Sequence, residues 1–132
     1  MKADDRQSIE EALGRRLLLG EIMARNARKF PDKEALIHGK TRLTYRQLNT
    51  RINRLAHALL DLGVRKGAKV AILSHNCHQF LEAYFALAKI GGVGVPLNFR
   101  LGPEEMKYII NHSDAEALIL MEPFADTVMN LS

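Results

Sequence analysis

The chain has 132 residues, of which 47% are hydrophobic and 26% are charged, so we expect a folded domain rather than a disordered chain or a membrane span. The formal net charge of +4 comes from basic residues spread along the chain, without the aromatic-interleaved basic stripe of nucleic-acid binding, so we expect no nucleic-acid partner. One cysteine cannot form an internal disulfide, and the charged first residues do not resemble an export signal, which predicts a cytoplasmic protein.

The N-terminal region divides into a charged segment and an amphipathic helix. Residues 1–16 are charged and only weakly periodic, and we expect them to be frayed. Apolar residues then recur at helical spacing over residues 17–30, and Pro31 follows directly as a stop signal. We therefore expect a single domain over residues 17–132.

A short hairpin and a long helix follow. Two strand-like runs, 34–37 and 41–43, are separated by three residues that include a glycine, which predicts a β-hairpin. Thr44 and Gln47 have the spacing of a capping box, and apolar residues then fall on one face of a helix that ends at Gly63. We expect the arginines of the opposite face to lie in solvent: Arg46, Arg51 and Arg54.

The centre of the chain has the pattern of a β-α-β unit. Residues 70–73 form an apolar run typical of a strand buried on both faces, and apolar residues at helical spacing follow over 80–90. Two glycines can end this helix, and residues 93–97 form the next strand. A right-handed crossover brings the exits of the two parallel strands, 74–76 and 98–100, to one edge of the sheet, where ligands bind in open parallel sheets.

The last third of the chain continues this alternation. A short helix begins at Pro103, and the turn residues 111–114 end it. Residues 117–121 form a further buried strand, and another helix begins within 123–131. The whole pattern predicts an α/β fold: a partial doubly wound layer with a parallel sheet of at least three strands, plus the small hairpin.

Clusters of reactive residue types have simpler explanations than catalysis. Residues 112–114 are a histidine, a serine and an aspartate, but neighbours in a turn cannot form the line that a catalytic triad requires. Cys77 with His75 and His78 lacks the ligand spacing of a zinc site. No glycine-rich loop follows a strand and opens a helix, as a phosphate loop does. We therefore expect no catalytic residue, no metal ligand and no separate ATP site in this chain.

Three segments together resemble a known family. They are Leu43-Thr-Tyr-Arg-Gln-Leu48, Gly67-Ala-Lys-Val-Ala-Ile-Leu73 and the stretch 80–101, which ends in Gly-Gly-Val-Gly-Val-Pro-Leu-Asn-Phe-Arg-Leu. Their combination resembles the N-terminal part of the adenylate-forming ligases, which include acyl-CoA synthetases, aryl-CoA ligases, luciferases and peptide-synthetase adenylation domains. The last segment is most similar to the fatty-acid and aryl-CoA ligase branch. The resemblance extends from about residue 19 to residue 121.

The resemblance implies a parent enzyme that joins a carboxylic acid to coenzyme A. In this family the carboxylate attacks the α-phosphate of ATP with Mg²⁺ present, and the thiol of coenzyme A then displaces AMP from the acyl-adenylate. Family members are several times longer, and their ATP and Mg²⁺ ligands lie beyond the stretch seen here. We therefore expect an inactive N-terminal fragment whose partners are the carboxylic acid, coenzyme A and the remainder of the ligase chain.

One site residue follows from the resemblance. In CoA-forming relatives, the arginine of the Asn-x-Arg-Leu motif lies near the entry for the coenzyme A nucleotide, and Arg100 matches that arginine. An ion pair with Glu104 or Glu105 is the alternative for this side chain. The remaining polar residues of this edge are expected to serve turns and caps: His75, Asn98 and, as a cap of the central helix with Gln79, Asn76.

Two other classes of function stay open at this point. The alternating architecture alone also fits a freestanding α/β binding module of the flavodoxin or response-regulator type. A non-catalytic interaction domain is the other alternative, because unpaired sheet edges can recruit partners or a second copy of the chain. Bound flavin, or phosphate transfer to an aspartate, would distinguish the first alternative, and association through the sheet edges would distinguish the second.

Overall fold

The computed structural model describes residues 18–130, and strands and helices alternate there as predicted. The predicted frayed segment, residues 1–16, lies outside the described residues. The elements in chain order are α1 (Leu19–Lys29), β1 (Glu34–His38), β2 (Thr41–Thr44), α2 (Tyr45–Asp61), β3 (Lys69–Leu73), α3 (His78–Ile90), β4 (Val93–Pro96), α4 (Pro103–His112), β5 (Ala117–Leu120), a 3₁₀ turn (Glu122–Phe124) and α5 (Ala125–Met129). The last predicted helix is therefore divided into a turn that contains a proline and a short helix.

The hairpin β1–β2 is antiparallel, is separate from the main sheet and leads directly into α2. The predicted capping box of α2 is confirmed: the Gln47 amide donates to Thr44 Oγ1 at 3.2 Å, and the Thr44 amide donates to Gln47 Oε1 at 2.9 Å. The first two amides inside the helix donate to the carbonyl oxygens of Lys33 and Pro31. The turn before the hairpin thus satisfies amide groups that a helix start leaves without partners.

The main sheet is parallel, with the strand order β4-β3-β5. Lys69 of β3 lies opposite Val93 of β4, and Val70 lies opposite Ala117 of β5. The connection through α3 leads to one side of β3, and the connection through α4 returns to the other side, which makes the layer doubly wound. Gly91 ends α3 in the left-handed region, with a φ of 73°, as predicted.

Strand β3 separates two hydrophobic cores. Val70 and Ile72 face one core, which is packed by helices α1, α2 and α3, and we call this side the three-helix face. Ala71 and Leu73 face the other core, which contains Met106 of α4, and we call this side the α4 face. Burial on both sides explains the continuous apolar run of this strand.

A salt bridge joins α2 to α3 on the three-helix face. The carboxylate of Glu82, of which only 5% is exposed, accepts hydrogen bonds from Arg51 Nε at 2.6 Å and Arg51 Nη2 at 3.2 Å. The hydrogen bond to Glu82 raises the pKa of the Arg51 guanidinium above its ordinary value. The Arg51 side chain is 44% exposed, as the sequence pattern predicts, but its ion pair with Glu82, 31 residues further along the chain, was not predicted.

The predicted cap of α3 is wrong. The helix begins at His78, so the capping position belongs to Cys77, whose side chain makes no capping hydrogen bond. Asn76 therefore stands one residue too early to accept a bond from the first turn. Helix α4 in turn continues to His112, slightly further than expected, and the chain reverses at Asp114 with a φ of 55°. Aspartate tolerates this left-handed conformation better than most residues.

Candidate ligand-binding edge

The exits of all three parallel strands meet at one edge of the sheet. β3 leads into His75, β4 leads into Phe99 and Arg100, and β5 leads into the turn that ends at Phe124. The prediction that the exits of β3 and β4 lie on the same edge is confirmed by their parallel pairing. The turn after β5 brings a third group of side chains to this edge.

Three rings from the three strand exits form an aromatic cluster, which we call the edge cluster. The His75 ring meets the edge of the Phe99 ring with centroids 4.4 Å apart and planes at 74°. Phe124 completes the cluster, with centroids 4.9 Å from His75 and 6.1 Å from Phe99. His75 therefore packs against two phenylalanines, beyond the turn role expected from the sequence. The isolated aromatic residues of three different loops gave no sequence signal for this contact.

Arg100 lies at the rim of the edge cluster. Its guanidinium carbon is 5.7 Å from the centroid of the Phe99 ring, within the range of a cation–π contact. The backbone amide of Arg100 donates to Asn98 Oδ1 at 3.0 Å, which confirms the turn role predicted for Asn98. The ring contact and the turn together hold the base of an exposed cationic side chain at the sheet edge.

The alternative partners of Arg100 are used differently. Glu105 Oε2 accepts a hydrogen bond from the amide of Gly102 at 2.9 Å and so caps the start of α4. The ion pairs formed within residues 18–130 include neither Glu104 nor Glu105 as a partner of Arg100. The alternative ion pair is thus not formed, and the exposed guanidinium fork of Arg100 can serve as an anion ligand.

A mostly apolar pocket of about 210 Å³ lies beside the edge cluster, between α3 and the exits of β3 and β5. It is lined by Ile72, Ser74, Gln79, Phe80, Ala83, Ile119, Leu120 and Met121. The connections from β3 to β4 and from β4 to β5 run in opposite directions, so this pocket stands at the point where the strand order reverses. Ligands of doubly wound sheets bind at such crevices.

The donor groups of the described residues limit the chemistry of this edge. Within residues 18–130, no group of three or more histidine, cysteine, aspartate or glutamate side chains could hold a metal ion. None of the helices in the same part of the chain is long and apolar enough to cross a membrane.

The fold and the edge define a doubly wound α/β domain with an open binding edge. The chain belongs to the AMP-binding enzyme family, whose model matches residues 23–131. It is 44% identical over 114 residues to a feruloyl-CoA synthase from Amycolatopsis and 37% identical over 110 residues to 4-hydroxybutyrate–CoA ligase 2 from Metallosphaera sedula. These matches cover 86% and 83% of this chain but only 23% and 20% of the relatives. The chain therefore spans about a fifth of their length.

Solved structures give the same result. A putative long-chain-fatty-acid CoA ligase from Rhodopseudomonas palustris superimposes with a TM-score of 0.84 at 34% identity, over 89% of this chain and 30% of that one. A fatty acyl CoA synthetase from Mycobacterium tuberculosis superimposes with a TM-score of 0.82 at 32% identity, over 85% and 23%. The chain thus has the fold of the N-terminal part of the adenylate-forming ligases, which favours the ligase interpretation over a flavodoxin-like module.

Proposed function

We propose that this chain is the N-terminal subdomain of an ATP-dependent acyl-CoA synthetase, with residues 17–132 as its folded part. The match to CoA ligases over most of the chain is the observation that carries this proposal. Those relatives are named for different acids, a hydroxybutyrate and a ferulate, but for the same acceptor, coenzyme A. The proposal therefore specifies a carboxylic acid substrate and a CoA thioester product, without a particular acyl group.

The proposed reaction forms the thioester in two steps. A carboxylate oxygen attacks the α-phosphorus of ATP, which gives an acyl-adenylate and pyrophosphate, and the thiol of coenzyme A then attacks the acyl carbon and releases AMP. ATP, with Mg²⁺ as its counterion, supplies the activation of the carboxylate. Because the family resemblance implies that the ATP and Mg²⁺ ligands lie beyond this stretch, we assign the binding of both groups to the remainder of the ligase chain. This fragment alone is then inactive.

The edge of the sheet provides the contribution of this chain. We assign Arg100 to a phosphate of the coenzyme A nucleotide, because its guanidinium is exposed, is held against Phe99 and forms no ion pair with the nearby glutamates. A planar guanidinium fork can donate two parallel hydrogen bonds to a phosphate. Arg100 thus orients the nucleotide and takes no part in bond formation.

The remainder of the ligase is proposed to cover the open side of β5. This strand is at the edge of the sheet, and the apolar pocket lies directly beside it. An unpaired parallel strand with an apolar flank is a template for a further strand or helix. Where no such polypeptide is present, the two edges, β4 and β5, provide surfaces for association between copies of the chain. The free thiol of Cys77 supports a reducing, cytoplasmic compartment for the enzyme.

A chimeric enzyme tests the proposed function. The matching segment of the Amycolatopsis feruloyl-CoA synthase is replaced by this chain, and feruloyl-adenylate and feruloyl-CoA are measured separately. We expect both products from the chimera and neither from the enzyme with the segment deleted or from this chain alone. A folded chimera that makes no adenylate would contradict the proposal. Tight binding of ATP to this chain alone in a calorimetric titration would contradict the assignment of ATP to the remainder.

The same chimera tests Arg100. Arg100→Ala is expected to raise the KM for coenzyme A about 10-fold or more, because a charged hydrogen bond contributes roughly 1.5–3 kcal/mol, while adenylate formation stays unchanged. Arg54→Ala, which removes an exposed arginine from α2, is the matched control and leaves both steps unchanged. An equal loss in both half-reactions would indicate a structural role and would overturn the assignment of Arg100 to coenzyme A.

A further inference from the structure

Two histidines from different elements, neither of them part of the edge cluster, face each other. His38 is the last residue of β1, and His78 is the first residue of α3. Their Nδ1 atoms are 3.5 Å apart, and their ring centroids are 5.6 Å apart with the planes at 47°. The hairpin and the central helix contact each other at this point. None of the proposed steps of thioester formation uses either ring.

The separation of the two nitrogens is compatible with a long hydrogen bond and with a shared metal ion. Nitrogen–acceptor hydrogen bonds are usually about 2.7–3.2 Å long, so 3.5 Å is a weak contact for two neutral imidazoles. Zinc binds histidine nitrogen at about 2.0–2.1 Å, and two ligands on a tetrahedral ion are then about 3.3 Å apart. The observed separation is therefore within a few tenths of an ångström of the separation expected for two nitrogen ligands of such an ion.

The surroundings leave room for an ion and its remaining ligands. His38 is exposed and His78 is half-buried, and both line an open groove of about 300 Å³ together with Asn76 and Cys77. Among residues 18–130, no third histidine, cysteine or carboxylate completes a protein-only site, so water or a ligand atom would fill the other positions. Imidazole nitrogen suits zinc, nickel and copper, whereas Mg²⁺ and Ca²⁺ prefer oxygen ligands.

We propose that His38 and His78 form a two-histidine site for a divalent transition metal of the zinc class, which ties the hairpin to the start of α3. Both rings bind the ion through Nδ1 in their neutral form, and solvent molecules complete the coordination. The site is separate from the edge cluster and does not depend on the proposed ligase activity. Because the ion joins two elements that are distant in sequence, its binding also stabilises the folded chain.

Calorimetric titration of the 132-residue chain, prepared without a histidine tag, tests the site. We expect one Zn²⁺ per chain, no comparable binding of Mg²⁺, and a rise in Tm with Zn²⁺ concentration. His38→Gln and His78→Gln should each weaken Zn²⁺ binding at least about 10-fold, since loss even of groups that support metal ligands costs 10- to 100-fold. The double variant should bind Zn²⁺ only slightly more weakly than the weaker of the two single variants.

His57→Gln is the matched control, because His57 is an exposed histidine on α2. It should leave the affinity for Zn²⁺ and the Tm rise unchanged. Circular dichroism of each variant in the absence of metal establishes that its fold is retained, which is expected for substitutions of accessible side chains. Wild-type protein that binds no Zn²⁺, or equal Zn²⁺ affinity in the wild type and the His38→Gln and His78→Gln variants, would overturn the proposal.

Discussion

The two faces of strand β3 differ in how completely this chain encloses them. On the three-helix face, twelve buried residues from the sheet, from α1, α2 and α3 and from the loop before β3 form one core, whereas the α4 face has four. The three helices packed on that side enclose its core. The other side depends on α4 with help from the short C-terminal elements, and it is the thinner of the two. Most of the stability of the chain should therefore come from the three-helix face.

Shortening one buried side chain on each face tests this difference most directly. Leu87→Ala on the three-helix face should lower the free energy of unfolding by about 3–5 kcal/mol, and Met106→Ala on the α4 face by about 2–3 kcal/mol. Both side chains are only 1% exposed, so their burial is matched. The α4 face can collapse more easily around the lost volume. Urea unfolding measures both values, and a larger loss for Met106→Ala would reverse the comparison.

The salt bridge between α2 and α3 is expected to have the next largest effect. Arg51→Met removes the partner of the buried Glu82 carboxylate and should cost about 2–3 kcal/mol, less than for a fully buried pair because the Arg51 side chain is 44% exposed. Arg46→Met is the control, since its partner Asp32 is mostly exposed, and it should change stability by less than about 1 kcal/mol. Equal effects in chemical unfolding would mean that the burial of Glu82 has no energetic consequence.

The contact between α1 and α3 is the third test of the three-helix face. A Cβ atom at Gly20 would lie 2.6 Å from the backbone oxygen of Ala88, so Gly20→Ala should destabilise the chain by about 1–2 kcal/mol despite the better helix propensity of alanine. Adding Ala88→Gly to Gly20→Ala should not restore stability, because the new Cβ atom would meet the backbone oxygen of residue 88, which glycine retains. An increase in Tm for Gly20→Ala would show that α1 is not held against α3.

Helix caps give the smallest expected effect and compare the two faces again. Thr44→Ala opens the capping box of α2 and should cost about 1 kcal/mol, and Glu105→Ala removes the bond to Gly102 at the start of α4. The second loss should be smaller, because Glu105 is exposed to solvent whereas Thr44 is half-buried. Thermal unfolding with Thr50→Ala as the control, an exposed site within α2, separates these values. No loss for Thr44→Ala would be inconsistent with the observed cap.

Local sequence patterns predicted the elements of this fold well, because their signals lie within a few residues. The capping box at Thr44 and the left-handed Gly91 are examples. The contacts that the sequence did not predict join distant parts of the chain: Arg51 forms an ion pair with Glu82, and His75 packs against Phe124. The cap assigned to Asn76 failed for the opposite reason, since a shift of one residue in the start of a helix moves the capping position to Cys77.

The candidate site was also predictable only in part: the sequence predicted its location but not its side-chain contacts. The parallel sheet predicted which loops would meet, because strand direction fixes the edge at which they emerge. The sheet topology could not predict the edge cluster, since contacts between the rings depend on the conformation of the loops. The position of Arg100 at the edge followed from the motif, but its contact with Phe99 and the use of Glu105 as a cap required coordinates.

The strand order has a consequence for synthesis on the ribosome. Within the described part of the chain, the strands of the parallel sheet lie between Lys69 and Leu120, so these three strands are available once that stretch has emerged. Domains can fold during translation at such a point, before later polypeptide appears. The nascent layer would then already present the open side of β5 at that stage.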